Sequence, residues 1–263
     1  MNLDLSGKNA LVCGSTQGIG KATALELAQM GASVTLVARN EQKLKAVLEE
    51  LNTNKGQNHN YICADFSTPD DLQAKLLKAT QEESNQYHIL INNTGGPAGG
   101  PIVEAGIDAF RAAFDMHLIC NHILTQAVKS GMQAAGYGRI INVISTSVKQ
   151  PLNGLGVSNT IRGSVANWAK TMANELGAYG ITVNNVLPGA TNTIRLQSII
   201  ENKAKKSGNS IEATAAAMKS TIPAARFAEA NEVANAIAFL ASPAAAYING
   251  INVPVDGGRT KCL

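Results

Sequence analysis

Short runs of aliphatic and β-branched residues alternate along the chain with longer stretches whose apolar positions recur every three or four residues. Segments 9–13, 33–37, 60–63, 89–91, 139–144, 181–187 and 251–255 read as strands. Most are nearly continuous in apolar residues, as expected of strands covered on both faces. Between them, Leu44, Val47, Leu48 and Leu51 follow the i, i+3, i+4, i+7 spacing of an amphipathic helix, and Ile161, Val165, Trp168, Met172 and Leu176 trace a second stripe. Seven strands separated by helices predict a doubly wound α/β fold. Its parallel sheet would carry right-handed crossovers and helices on both faces. No internal repeat or Pro/Ser linker divides the chain, so residues 1–263 read as one domain. One stretch, 197–221, is polar and alanine-rich and follows a predicted strand end. A helical excursion there would lie over the C-terminal edge of the sheet, where open α/β folds bind ligands. Residues 190–225 are therefore expected to form a substrate lid; the competing reading is a solvated helix pair.

Composition narrows the function classes. Hydrophobic residues make up 45% of the 263, but aromatics only 4%, so the core must be built from aliphatic side chains and alanine. The net charge of +3 is not concentrated: no basic block exceeds the pair Lys205 and Lys206, which argues against nucleic-acid binding. No apolar run approaches a membrane span, and the first residues lack the basic and apolar regions of a signal peptide. A cytoplasmic location is expected. The four cysteines (Cys13, Cys63, Cys120 and Cys262) are scattered without metal-type spacing and read as reduced thiols, so no metal site is expected.

Directly after the first strand come Gly14, Ser15, Thr16, Gln17, Gly18, Ile19 and Gly20, followed by a helical run from Lys21. Glycines in a strand–turn–helix allow a tight turn and close approach of the backbone to a diphosphate. The helix start then aims free N–H groups and its positive dipole end at the phosphates. The G-x-x-x-G-x-G spacing varies the usual dinucleotide fingerprint, and the setting points to a Rossmann-type nucleotide site. Nineteen residues after Gly20, at the end of the second strand, stand Ala38 and Arg39. An acidic side chain there would accept from the adenosine ribose and repel a 2′-phosphate; a guanidinium suits that phosphate. NADP(H) is therefore expected over NAD(H).

Gly14 to Gly20, Asp65, Asn92-Asn93-Thr94-Gly95, Pro188-Gly189, Ile222 to Phe227 and Val255-Asp256-Gly257-Gly258 stand in one collinear order. In this the chain resembles the short-chain dehydrogenase/reductase family over nearly its whole length. The resemblance implies that Asp65, with Phe66 beside it, contacts the adenine. It implies that Asn92, Thr94 and Gly95 line the cofactor and that Pro188, Gly189, Thr191 and Thr193 sit beside the nicotinamide end. It also implies a helix-paired homotetramer or homodimer through the regions around residues 116–134 and 156–178.

In that family a tyrosine exchanges a proton with the substrate oxygen and a lysine one helical turn later supports it. A serine orients the oxygen, and an asparagine on a neighbouring helix supports a water relay. Gly138 to Ser145 fits the family's serine-bearing strand, which makes Ser145 the first candidate. Where the tyrosine and lysine belong, this chain has Ser158 and Arg162, and His117 takes the asparagine's place. The surrounding phrases resemble a divergent branch with S-x-x-x-R. An alkyl hydroxyl is a far weaker acid than a phenol, so direct proton transfer from Ser158 is not expected. Arg162 shares a helix face with Ser158 and stays protonated, so it can hold ribose hydroxyls or an oxyanion but cannot shuttle a proton. His117 and Lys149 are the candidates for proton donation, against the favoured readings of a satisfied core histidine and a solvated loop charge.

The expectation is an NADP(H)-dependent oxidoreductase acting on a carbonyl or secondary alcohol with an altered proton path. The alternatives are a catalytically impaired NADP(H)-binding sensor or partner subunit, and a non-redox lyase or isomerase.

Overall fold

The computed structural model describes residues 1–80 and 86–262. Seven strands, β1 (Asn9–Cys13), β2 (Ser33–Ala38), β3 (Asn60–Cys63), β4 (Ile89–Asn92), β5 (Gly138–Val143), β6 (Ile181–Pro188) and β7 (Asn252–Val255), form one sheet. Their order is β3-β2-β1-β4-β5-β6-β7, and every pairing is parallel. The doubly wound fold is as the alternation predicted. Strand bounds differ from the expected ones by a residue at some ends, most visibly at β5, which starts at Gly138. A side chain there would collide with Ile181 and the Met132 sulfur, so only glycine fits the start of this strand.

Nine α-helices connect the strands among the described residues: α1 (Gly18–Gln29), α2 (Glu41–Leu48), α3 (Pro69–Thr80), α4 (Ile107–Phe114), α5 (Cys120–Ala135), α6 (Gly156–Leu176), α7 (Ile194–Ser207), α8 (Ile211–Ser220) and α9 (Ala230–Ala241). Two aliphatic cores flank the sheet. One holds Leu27, Leu36, Leu44, Ile89, Ile237 and Leu240 and is closed by α1, α2 and α9; the other holds Leu72, Leu76, Leu90, Leu124, Ile140 and Met172 under α3, α5 and α6. Alternate residues of the central strands β1, β4 and β5 feed opposite cores, which is why both faces of their sequence pattern are apolar. The stripe Ile161, Val165, Trp168, Met172, Leu176 lies on α6 as read, with only Trp168 half-buried.

The polar 197–221 segment is helical. α7 and α8 enclose a small cluster of their own, Leu196, Ile200, Ile222 and Phe227, beyond the end of β6. Each begins with a capping hydroxyl: Thr193 accepts from the Leu196 amide and Ser210 from that of Ala213. Parallel strands bring their C-terminal ends to one edge, and the order reverses between β1 and β4. The loops after these strands therefore open a crevice at that edge.

Candidate functional site

The crevice begins at the turn after β1. Gly14 (φ +60°) and Gly18 (φ +54°) occupy the left-handed region that favours glycine. A Cβ on Gly20 would run into the Gly14 carbonyl and lie 2.6 Å from Asn93 Nδ2, so helix α1 packs against its own turn too closely for any side chain. Asn93 braces the turn, donating from Nδ2 to the carbonyls of Cys13 (3.2 Å) and Gly14 (3.4 Å). The Ser15 hydroxyl is buried and donates to the Val37 carbonyl at 3.4 Å. At the start of α1, Gln17 makes no side-chain cap and the first turn carries no acid. The first N–H groups of this helix thus have no side-chain acceptor. They suit a diphosphate, as do the glycines whose missing side chains leave room for it.

Two predicted residues flank this turn. Arg39, at the end of β2, is exposed and has Nη1 4.0 Å from the Asp65 carboxylate, which lies at the end of β3. The Ser67 amide and hydroxyl, and then the Arg39 charge, hold the Asp65 carboxyl below the usual carboxylate range. From the opposite side Thr193 reaches over: its Cγ2 is 3.1 Å from where a Cβ on Gly18 would sit. The Thr193 hydroxyl is committed to capping α7 and to the Thr191 carbonyl, and Thr191 is itself buried and bonded to the Gly189 carbonyl. Gly189, just past Pro188, lies against Asp256, whose Cα a Cβ would approach to 2.7 Å. Phe66 behaves differently: its ring belongs to the core beneath α3 and α5, and only its main chain is left for the site.

Asn92 also departs from expectation. Its side chain opens a ladder across four strands: Asn92 Nδ2 to Asn142 Oδ1 (2.8 Å), Asn142 to Asn185 (2.9 Å), and Asn185 to Asn252 (2.8 Å). The four residues are direct register partners, so identical side chains stack on one face. Such a buried, nearly satisfied network fixes the ends of β4 to β7 relative to one another. Consecutive strand residues point to opposite faces, so only one of Asn92 and Asn93 can reach the glycine turn. That one is Asn93, to which the sequence pattern assigns no role.

The catalytic candidates gather further along the same edge. Ser145 follows β5, and its Oγ accepts from the Ser147 amide at 3.1 Å, leaving its O–H to donate elsewhere. Arg162, on α6, is only 7% exposed and donates from Nη1 to the Val143 carbonyl at 3.1 Å, two residues before Ser145. Ser158 precedes it by one helical turn and is half-buried. No carboxylate pairs with Arg162 among the described residues. Burial, together with the neighbouring Arg195 charge, lowers the pKa of Arg162 to about 10, so it remains a cation near neutrality.

His117 is placed by a local irregularity. Residues Asp115–Ile119 form a π-helical turn between α4 and α5, with the Cys120 amide bonded back to the Asp115 carbonyl. Such turns recur at functional sites because they re-aim a side chain without breaking the helix. Here the imidazole is turned inward, 1% exposed, with Nδ1 2.6 Å from the Thr94 hydroxyl and Nε2 without a partner among the described residues. Burial first, and the Arg162 charge second, pull its pKa down to about 2. The ring is therefore neutral near pH 7, which suits hydrogen bonding rather than the cationic acid that its ordinary pKa would suggest.

A cavity of about 180 Å³ adjoins this edge, lined by Thr146, Gln150, Leu152, Thr221, Arg259 and Lys261 among others. The C-terminal residues close over it: the Cys262 thiol lies 3.6 Å from the Lys149 carbonyl. Cys13 and Cys120 are buried and Cys262 is exposed, and no disulfide or cluster of metal-ligand type occurs among the described residues. Nor is any described helix long and apolar enough to cross a membrane.

Comparison with known proteins agrees with this geometry. A family model described as Enoyl-(Acyl carrier protein) reductase matches residues 14–260. The chain is 34% identical over 258 residues to the 3-oxoacyl-[acyl-carrier-protein] reductase FabG of Vibrio cholerae, covering 97% of this chain and 98% of that protein. It is 29% identical to the NADPH-dependent reductase BacG of Bacillus subtilis, covering 98% and 100%. Among solved structures, the L-sorbose reductase of Gluconobacter frateurii complexed with NADPH and L-sorbose superposes with a TM-score of 0.93 at 30% identity, with both chains fully covered. With the glycine turn, the parallel sheet and matches spanning nearly its entire length, the chain belongs to the short-chain dehydrogenase/reductase family.

Proposed function

We propose that this protein is an NADP(H)-dependent oxidoreductase that interconverts a carbonyl and a secondary alcohol through an altered catalytic set. The observation that carries the reading is the glycine turn braced by Asn93, with Arg39 at its adenosine end and the Ser145 and Arg162 donors at the other. Relatives named for NADPH-dependent reduction support it. The N–H groups at the start of α1 would receive the diphosphate, and Arg39 the 2′-phosphate, with Asp65 beside it. Thr94, Gly95, Pro188, Gly189, Thr191 and Thr193 would enclose the remainder.

NADPH, when bound, supplies a hydride to the carbonyl carbon, while the carbonyl oxygen gains a proton to give the alcohol. In this chain Ser145 donates a hydrogen bond to that oxygen, since its O–H has no acceptor among the described residues. Arg162 opposes the negative charge that develops there, in a desolvated position where a fixed charge acts strongly. Ser158 adds a weaker hydrogen bond. Arg162 cannot release a proton near pH 7 and His117 is held neutral, so the proton reaches the oxygen from solvent through the Ser145 hydroxyl or from Lys149. Helices α7 and α8 act as the substrate lid, and copies of the chain pair through α5 and α6 into a homodimer or homotetramer; light scattering at the monomer mass of 27.4 kDa would contradict that assembly.

The test is NADPH oxidation against a panel of ketones and aldehydes. Loss of one preorganised donor lowers turnover by about 10²- to 10³-fold, which is the effect expected of Ser145→Ala. Arg162→Ala should be at least as damaging. Turnover that survives both changes refutes these roles. A second reading rests on Ser158 and Arg162 standing where the family has tyrosine and lysine. In it the protein binds NADP(H) as a sensor or partner subunit without chemistry, and tight NADPH binding with no hydride transfer to any substrate would favour it.

A further inference from the structure

Arg162 is a buried cation without a counter-charge among the described residues, and such a group is costly to keep in a folded chain unless something else neutralises it. Among the described residues its one hydrogen bond is to the Val143 carbonyl, which leaves most of its donors unused there. A second guanidinium stands close by. Arg195, in the first turn of α7, donates from Nη2 to the Pro97 carbonyl at 2.7 Å and has no acidic partner either among the described residues.

The two side chains converge on Gly96. The Nη2 atoms of Arg195 and Arg162 lie 3.7 and 3.9 Å from the point that a Cβ on Gly96 would occupy, so the glycine leaves an opening between them. Like charges so placed repel, and the third polar group nearby, His117, is held neutral by burial and by Arg162 itself. The cavity along the same sheet edge is also basic: Arg259 and Lys261 line it beside Thr146, with no carboxylate among its lining residues. Among the described residues, the charged side chains at Gly96 and along this cavity share one sign.

We infer that the substrate is an organic acid, an oxo acid or hydroxy acid whose carboxylate is held between Arg162 and Arg195 while its carbonyl faces Ser145. This rests on the proposed reductase activity and names its substrate class. Two planar guanidinium forks suit a carboxylate, and anchoring it fixes the distance from that group to the reacting carbon. Because Arg195 belongs to α7 and bonds the 95–100 loop, a bound carboxylate would also tie the lid to the body of the domain.

The shared chemistry is an oxyanion, and the cofactor's diphosphate is the other possible source. Titration separates the two. Short 2-oxo and 3-oxo acids, with their methyl esters as neutral controls, are titrated into the NADP⁺-saturated protein by calorimetry and ligand-observed NMR. The acids should bind about tenfold or more tightly than their esters, as expected for charge-assisted hydrogen bonds. Arg195→Met, at an exposed position that leaves the core intact, should abolish most of that preference while changing NADPH affinity by no more than about threefold; Arg162→Lys, which keeps the charge, should retain part of it. Equal binding of acid and ester, no binding of either, or a preference that survives Arg195→Met overturns the inference. So does a tenfold loss of NADPH affinity in Arg195→Met with the acid preference unchanged, which would assign the pair to the diphosphate. NADPH binding without acid preference removes the acid site and leaves the cofactor reading standing. Acid preference without NADPH binding does the reverse.

Discussion

Replacing His117 by asparagine should change how stability responds to acid, by an amount that follows from its burial. The imidazole is 1% exposed, and its folded-state pKa is about 2 against an ordinary value of 6.5. For a base with a depressed folded pKa, the neutral form carries no penalty above the unfolded value. Below about pH 6.5 the unfolded chain takes up a proton that the folded chain refuses, and stability falls as the pH falls. The slope is about 1.4 kcal/mol per pH unit, so roughly 2 kcal/mol is lost between pH 7 and pH 5. The full loss, about 6 kcal/mol, is reached only near pH 2. Asparagine cannot titrate, and its own effect on stability enters as a constant offset. The other three histidines (His59, His88 and His122) are common to both proteins and cancel. Urea unfolding of the two proteins at pH 7 and at pH 5 measures the difference of differences. The wild type should lose about 2 kcal/mol more than His117→Asn over this interval. Parallel pH dependences would mean that the imidazole titrates normally and is not held in the interior by the π-helical turn.

Two further substitutions probe the other ends of the site. In Gly20→Ala the new methyl meets the Gly14 carbonyl and Asn93 Nδ2; relief requires the turn to move, so NADPH affinity should fall at least about 100-fold, with roughly 1–3 kcal/mol of stability, by calorimetry and thermal unfolding. Undiminished binding would mean the turn is not the phosphate cradle. Arg162→Met should do the opposite to stability. Burial, with the Arg195 charge beside it, lowers the pKa of Arg162 to about 10, which corresponds to roughly 3 kcal/mol of unfavourable placement at neutral pH, set against about 1 kcal/mol for the bond to the Val143 carbonyl. Without ligands the variant should melt a few degrees higher, about 2–6 °C, while losing turnover. A lower melting temperature would show that this buried charge is compensated within the chain.

The sheet was legible because strands buried on both faces must be apolar in nearly every position, and most of the runs from β1 to β7 are. The glycine turn was legible for a different reason. Gly14, Gly18 and Gly20 are each demanded by backbone conformation or close approach, and such demands leave a mark in the sequence. The asparagine ladder left none, since its hydrogen bonds exist only once β4 to β7 are in register. The same blindness exchanged the roles of Asn92 and Asn93: both are polar residues at a strand end, and only the pleat decides which faces the turn. Phe66 is a similar case, its ring lying in the core rather than along the crevice. The inward turn of His117 depends on one extra residue in a helical turn, which periodicity does not resolve. Arg195 was invisible as a site residue because nothing in the spacing of residues 162 and 195 brings α6 and the start of α7 together over Gly96. Local conformational demands can be read from the chain, whereas convergence of distant side chains requires the fold.

The central claim is that the turn after β1 binds a dinucleotide and that Arg39 recognises its extra phosphate. Calorimetry of the wild type with NADPH and with NADH tests it most directly. Arg39 is exposed and its weak pair with Asp65 costs little to break, so its donors are available. NADPH should bind about tenfold or more tightly than NADH, and Arg39→Ala should reduce that ratio to near unity by weakening NADPH alone. No association with either nucleotide, or a preference for NADPH that persists without Arg39, would contradict the account.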